Sequence, residues 1–218
     1  MSKLLIPADL NDYAEKYTTP ETPVLAALNR ETYETVPQPK MLSGHLQGAF
    51  LQMISKMIQP HRILELGTYT GYSAICLAQG LTPDGHLHTI DINENLEPMT
   101  RKYFTEAWVD QKITRHYGKA ADIIPTLEDS FDLVFIDADK RNYSLYFDLV
   151  FDKVPIGGYI LADNVLFEGE VTWPEEDRGN AAKAMHAYNE KLSKDPRIEQ
   201  MLLPLRDGIM IARKIAAV

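Results

Sequence analysis

Two short clusters of polar side chains each follow an apolar run in this chain of 218 residues. Asp137 and Lys140 come after the run at 132–136, and Asp163 and Asn164 come after the run at 159–162. Apolar, β-branched runs of this length predict buried strands, and the carboxyl ends of neighbouring parallel strands meet at one crevice. Two acids, a carboxamide and a lysine at that edge predict a site for a hard cation with a base beside it.

A second feature is a turn with Gly67 and Gly71, which follows a predicted strand and opens a helix. Glycine is needed where the backbone takes positive φ or passes close to a ligand. The spacing differs from the three-glycine pattern that binds a dinucleotide pyrophosphate. Asp91, after the next strand, suits the hydroxyls of a ribose, although a helix N-cap is an alternative. Glu65 lies inside an apolar strand, so it needs a cationic or hydrogen-bonding partner.

Alternating strands and helices must position these residues, and they predict an α/β fold with a mostly parallel sheet covered on both faces. Two last strands around the Asp207-Gly208 turn predict a closing hairpin at the sheet edge. We expect one domain over 1–218, with an N-terminal helical cap at 1–58 and a core at 59–218. The predicted strands lie at 62–66, 86–90, 113–117, 132–136, 159–162, 199–204 and 209–213.

One helix of the cap has an apolar face that we expect to be buried. Its apolar positions fall at helical spacing between residues 46 and 58. They are Leu46, Phe50, Leu51, Ile54 and Met57 or Ile58.

Composition narrows the class of protein. A net charge of −9 argues against general affinity for nucleic acid or anionic membrane. No apolar run reaches the length of a membrane span, and residues 1–7 do not have the pattern of a signal peptide, so a cytoplasmic protein is expected. The single cysteine, Cys76, excludes an internal disulfide and is expected in the core.

Together these motifs resemble the cation-dependent O-methyltransferases, the caffeoyl-CoA and catechol O-methyltransferase group of enzymes that use S-adenosyl-L-methionine (SAM). The resemblance runs from about residue 40 to the C-terminus. It implies a Rossmann-like, doubly wound, seven-stranded sheet with an antiparallel last strand. It also implies SAM, a divalent cation (Mg²⁺, with Ca²⁺ or Mn²⁺ as alternatives) and a homodimer. The matching segments are 65–73, Asp91, 137–143, 163–164 and 205–208.

The resemblance and the residue chemistry together give each candidate a role. Asp137, Asp163 and Asn164 would hold the cation, and Asp137 and Lys140 would be catalytic, with Lys140 as proton acceptor or partner of the acceptor oxygen. A lysine acts as a base near neutral pH only if burial or a nearby cation lowers its pKa, so we expect a lowered pKa for Lys140. The residues expected to bind the cofactor are Met41, Ser43, Glu65, Gly67, Tyr69, Ser73, Asp91, Ala120 and Asp137.

The methyl acceptor is expected to be a small aromatic vicinal diol, and three alternatives stay open. A tRNA 5-hydroxyuridine methyltransferase would keep the catalytic residues and would need a basic strip using Arg30, Lys40, Arg101 or Arg115. A nicotinamide-dependent oxidoreductase would require the three-glycine pattern, which is absent. A SAM-binding protein without activity would have no use for the cation site.

Overall fold

The computed structural model describes residues 6–217, and within them the chain forms one sheet of seven strands with α-helices on both faces. The strands are β1 (Arg62–Leu66), β2 (His86–Asp91), β3 (Ile113–Tyr117), β4 (Leu133–Ile136), β5 (Tyr159–Asp163), β6 (Ile198–Leu203) and β7 (Ile209–Lys214). The helices are α1 (Ala8–Lys16), α2 (Pro23–Thr35), α3 (Gly44–Ile58), α4 (Tyr72–Ala78), α5 (Glu97–Glu106), α6 (Ala120–Ile123), α7 (Tyr143–Phe151) and α8 (Asn180–Ser193). The strand order is β3-β2-β1-β4-β5-β7-β6.

This topology confirms the predicted Rossmann-like, mostly parallel sheet. Strands β1 to β5 pair in parallel, whereas β7 runs antiparallel between β5 and β6. The order reverses between β1 and β4, and in open α/β sheets the ligand crevice lies at such a reversal. The glycine turn after β1 and the acid–lysine cluster after β4 are therefore neighbours across the switch point.

Side-chain alternation along the strands divides the core between the two faces of the sheet. Leu64 of β1 and Val134 of β4 belong to one apolar cluster, whereas Ile63 and Phe135 belong to the other. Successive side chains of a strand point to opposite faces, so each strand contributes to both clusters. All four residues of β4 are buried, as expected for a central parallel strand.

The buried face of α3 agrees with the prediction in part, since Leu51 is buried and Phe50, Ile54 and Ile58 pack against the core. Its centre is formed by Gln47, Gly48, Leu51 and Ser55, and Met57 is 74% exposed. A Cβ at Gly48 would lie 2.5 Å from Cε1 of the Tyr72 ring, so α3 approaches α4 through a residue without a side chain. The apolar pattern did not indicate Gln47 and Ser55, two polar side chains that are buried because they find partners inside the protein.

No helix within residues 6–217 has the length and apolar character needed to cross a membrane. Part of the segment that was judged not to be a signal peptide, residues 1–5, lies outside the described residues. The assignment of residues 1–218 to one domain, with a boundary near residue 58, stays a prediction.

Candidate functional site

A cavity of about 2010 Å³ opens at the carboxyl ends of β1, β2, β4 and β5. One wall is the segment 36–43, which connects α2 to α3. Every candidate site residue except Glu65 lines this cavity: Met41, Ser43, Gly67, Tyr69, Ser73, Asp91, Ala120, Asp137, Lys140, Asp163 and Asn164. Met41, which could have been a core residue, is 57% exposed at the cavity.

The glycine turn brings the end of β1 very close to the end of β4. Gly67 has φ +100°, and a Cβ there would lie 1.9 Å from the carbonyl oxygen of Asp137. The amide of Asp137 donates to Leu66 O at 2.8 Å, which fixes the two strand ends together. Tyr69 also has positive φ, and its hydroxyl donates to Pro37 O at 3.2 Å. The turn therefore contacts both the acid cluster and the wall of the cavity.

Asp91 supports the same turn. Its Oδ2 accepts from the Tyr69 amide at 2.7 Å, and its Oδ1 accepts from the Asn93 amide at 2.8 Å. Each carboxylate oxygen has a further lone pair, so ribose hydroxyls can be accepted in addition. The N-cap of the following helical turn is Asn93, so Asp91 does not have the alternative role of N-cap, and its position at the cavity suits a ribose.

Glu65 lies behind the cavity wall and is fully buried, so it does not offer the direct cofactor contact that was expected. Burial raises its pKa to about 8, against the lowering effect of the Ser73 and Thr89 hydroxyls. Thr89 Oγ1 donates to its Oε2 at 2.6 Å, which supplies the hydrogen-bonding partner that the sequence required. Through Ser73, which does line the cavity, Glu65 acts on the site indirectly.

Asp137 and Lys140 form an ion pair at the end of β4. Lys140 Nζ donates to Asp137 Oδ1 at 2.7 Å and to the Tyr143 hydroxyl at 2.8 Å. Tyr143 in turn donates to Ile136 O at 3.1 Å, so its remaining lone pair faces the ammonium. These contacts hold Nζ in one place at the cavity floor.

The expected lowering of the Lys140 pKa is wrong for this arrangement. Burial lowers the pKa of Lys140, but the negative charge of Asp137 and the further contributions of Tyr143 and Asp163 outweigh it, so the pKa lies above its usual value. The sequence shows that a lysine is near acids, but not that one oxygen lies within 2.7 Å. Lys140 is therefore a cation here and can donate hydrogen bonds to an acceptor oxygen.

Asp163 and Asn164 complete the cluster. Asp163 is 5% exposed, and burial and the nearby charge of Asp137 raise its pKa to about 6. Its oxygens accept from Gln47 Nε2 at 2.8 Å and from the Asn164 amide at 2.7 Å. Asn164 Nδ2 donates to Asp207 Oδ2 at 3.2 Å, which leaves the side-chain carbonyl oxygen of Asn164 for another partner.

The side-chain oxygen atoms of Asp137, Asp163 and Asn164 fit a hard divalent cation. The carboxylates of Asp137 and Asp163 are close enough to disfavour each other's charge, and the cations of Lys140 and Arg206 offset this only in part, since the pKa of Asp163 stays raised. With the Asn164 carbonyl they make an all-oxygen set, the kind that Mg²⁺ and Ca²⁺ prefer. Within residues 6–217 no cluster of three or more His, Cys, Asp or Glu side chains is arranged to hold a metal, so the amide is an essential member of the proposed set.

Other residues around the cavity were assigned more loosely. Asp139 accepts from the Arg141 amide at 3.2 Å and caps the turn before α7, as expected. Phe167 lines the cavity, whereas Trp173 is not among the lining residues. Gln47 and Arg206 were missed by sequence reasoning, because neither segment has a pattern that singles them out.

Comparison with known proteins shows the family to which the chain belongs. The family model described as O-methyltransferase matches residues 15–215. The caffeoyl-CoA O-methyltransferase of Petroselinum crispum is 36% identical over 200 residues, which cover 86% of this chain and 82% of that protein.

Solved structures agree in fold and show the cofactor in relatives. The O-methyltransferase TomG of Streptomyces achromogenes, involved in tomaymycin synthesis and solved in complex with SAM, has a TM-score of 0.88 at 28% identity, covering 95% of this chain and 96% of that one. An O-methyltransferase from Bacillus cereus in complex with S-adenosylhomocysteine (SAH) has a TM-score of 0.86 at 26% identity, covering 94% and 97%.

Proposed function

The chain belongs to the O-methyltransferase family and is a SAM-dependent enzyme, and from this premise we propose that it methylates one hydroxyl of a small aromatic vicinal diol with the help of a divalent cation. The main support is the placement of the Asp137–Lys140 pair and the Asp163–Asn164 pair in the cavity that also contains the glycine turn. The predicted cytoplasmic homodimer belongs to the same proposal.

In this proposal the chain's own residues bind, orient and stabilise. Asp91 and the glycine turn hold the nucleoside half of SAM, which supplies the methyl group. A cation held by Asp137, Asp163 and Asn164 would lower the pKa of the diol and fix its direction. Lys140 donates a hydrogen bond to the acceptor oxygen as that oxygen gains negative charge.

The hydrogen bond from Lys140 to Asp137 favours one of the two roles that the sequence left open. A protonated ammonium stabilises a phenolate directly, whereas a base at this position would first have to lose a proton that Asp137 stabilises at 2.7 Å. We therefore assign Lys140 as the partner of the acceptor oxygen. Tyr143 holds the ammonium in position from the opposite side.

The tRNA alternative receives little support from the surface charges. Of the four basic residues that could form a strip, Arg101 pairs with Glu97 on the same helix and Arg115 pairs with Asp110 in the turn before β3. Lys40 lies at the cavity wall and Arg30 is exposed on α2. Two unpaired cations on a chain of net charge −9 are a weak basis for binding a polyanion.

The test is a methyl-transfer assay with labelled SAM on caffeate, catechol and tRNA, each with and without EDTA. We expect transfer to the diols only, lost with EDTA and restored by Mg²⁺. A phenol with a single hydroxyl is the substrate control. Transfer that chelation leaves unchanged would refute the cation's role, and salt-sensitive transfer to tRNA would refute the acceptor class.

Variants test the assigned residues. Lys140→Ala should lower kcat by about 10²-fold or more, the usual contribution of a positioned proton-transfer or charge-stabilising group. Asp163→Ala should remove the response to Mg²⁺. Lys183→Ala and Asp152→Ala change the same residue types at exposed positions away from the cavity and should behave as wild type.

A further inference from the structure

Arg206, in the turn between β6 and β7, is bonded to the segment that walls the cavity. Its Nη1 donates to Leu42 O at 3.0 Å, to Ser43 O, and to Gln47 Oε1 at 3.0 Å. The other end of the same Gln47 amide donates to Asp163 Oδ2 at 2.8 Å. One guanidinium is thus connected to the cavity wall directly and to the Asp163 carboxylate through a single side chain.

The backbone of Arg206 adopts an unfavourable conformation to make these contacts. Its φ is +51°, in the left-handed region that a residue with a Cβ rarely adopts. The turn would accept glycine without strain. The arginine side chain compensates for the strain through three acceptors, two of which are backbone carbonyls at the start of α3.

The wall needs this support because α3 starts without a side-chain cap. Ser43 stands at the N-cap position and makes no capping hydrogen bond, although it is only 6% exposed. Met41 and Ser43 are the two proposed cofactor contacts on this wall. Their position relative to the sheet depends on the contacts from Arg206 and on the Tyr69 hydroxyl.

We infer that Arg206 and Gln47 are positioning residues that couple binding of the cofactor to binding of the divalent cation. This inference rests on the proposed cation site at Asp163. A cofactor that orders the wall also fixes the Gln47 amide through Arg206, and this amide sets the orientation of the Asp163 carboxylate. Coupling of two sites is reciprocal, so a cation at Asp163 must tighten cofactor binding by the same factor.

Calorimetric titration with SAH, with and without Mg²⁺, measures this coupling without turnover. In the wild type we expect Mg²⁺ to tighten SAH binding about fivefold or more. In Arg206→Gly, which the turn accepts, SAH should bind more weakly without Mg²⁺. The ratio of the SAH Kd without Mg²⁺ to the SAH Kd with Mg²⁺ should fall to about one. A direct titration with Mg²⁺ shows whether the cation still binds.

Gln47→Met separates the two halves of the connection. It leaves Arg206 bonded to Leu42 O and Ser43 O, so SAH affinity without Mg²⁺ should stay within about twofold of wild type while the Mg²⁺ effect disappears. Arg213→Ala removes an exposed arginine that pairs with Glu199 on the same hairpin, and it should keep the full effect.

The outcomes distinguish this inference from the proposed function. If Mg²⁺ binds the wild type and both variants and the effect on SAH is unchanged in Arg206→Gly and Gln47→Met, the coupling is overturned and the cation site stands. If Mg²⁺ binds none of the proteins, the proposed function is overturned and the coupling with it. Loss of the effect in both variants, with the fold intact by circular dichroism, supports the connection.

Discussion

Replacing Gly67 by alanine should separate the two halves of the site. The added Cβ would lie 1.9 Å from the carbonyl oxygen of Asp137, whereas real Cβ contacts are essentially never below 3.0 Å. The glycine turn and the end of β4 must therefore move apart by about 1 Å. A misplacement of this size between reacting groups can reduce the rate about 10²-fold, or about 2.7 kcal/mol of transition-state stabilisation.

Strain from positive φ has to be separated from the steric effect. Gly157, at the opposite end of the sheet before β5, has φ +93°, and a Cβ there would meet only Arg213 Nη2 at 3.9 Å. Gly157→Ala thus has the same backbone cost, about 1 kcal/mol, without the collision. It should lower Tm by about 2–4 °C and leave kcat/KM unchanged.

The assay is kcat/KM for methyl transfer to catechol, with Tm measured on the same samples. We expect Gly67→Ala to lose about 10²-fold in kcat/KM while its circular dichroism stays like that of wild type. Wild-type kcat/KM in Gly67→Ala would refute the close-approach argument. An equal loss in Gly157→Ala would show that strain, and not the contact with Asp137, was the cause.

Two further predictions concern other groups. Burial lowers the pKa of His88 from 6.5 to about 4, against the raising effect of Asp129, so the unfolded chain takes up the proton first as the pH falls. The free energy of unfolding should therefore fall by about 1–2 kcal/mol between pH 6.5 and pH 4. Urea unfolding at several pH values checks this: the fall should shrink in His88→Gln, and the partly exposed His186→Gln is the control. Tyr143→Phe removes the hydroxyl that accepts from Lys140, so kcat should fall about tenfold with KM for SAM unchanged, and a rise in KM alone would contradict a positioning role.

Features encoded by short stretches of sequence could be predicted. The strand–turn–helix at 62–78 and the acids at the strand ends depend on residues within a few positions of one another, and the structure places them at one crevice. Asp137 and Lys140 are three positions apart, which placed both at the end of β4 but did not give the distance between them.

Features that depend on distant residues could not be predicted. Arg206 and Gln47 are 159 positions apart, and no pattern in either segment indicates their contact. The same contact explains why Gln47 was not predicted on the buried face of α3, since a buried glutamine needs polar partners. The direction of the Lys140 pKa shift likewise needed a distance, because burial and a neighbouring carboxylate act in opposite directions.

The insertion of β7 between β5 and β6 has a consequence for synthesis of the chain. Until residues 209–214 emerge, β5 is an edge strand with free backbone groups, and Asp163 stands at its open end. The turn that delivers Arg206 and Asp207 is made equally late. A nascent chain can therefore form the parallel part of the sheet early. Until the final hairpin pairs with β5, however, it exposes an edge strand that can pair with other chains, and its candidate site is incomplete.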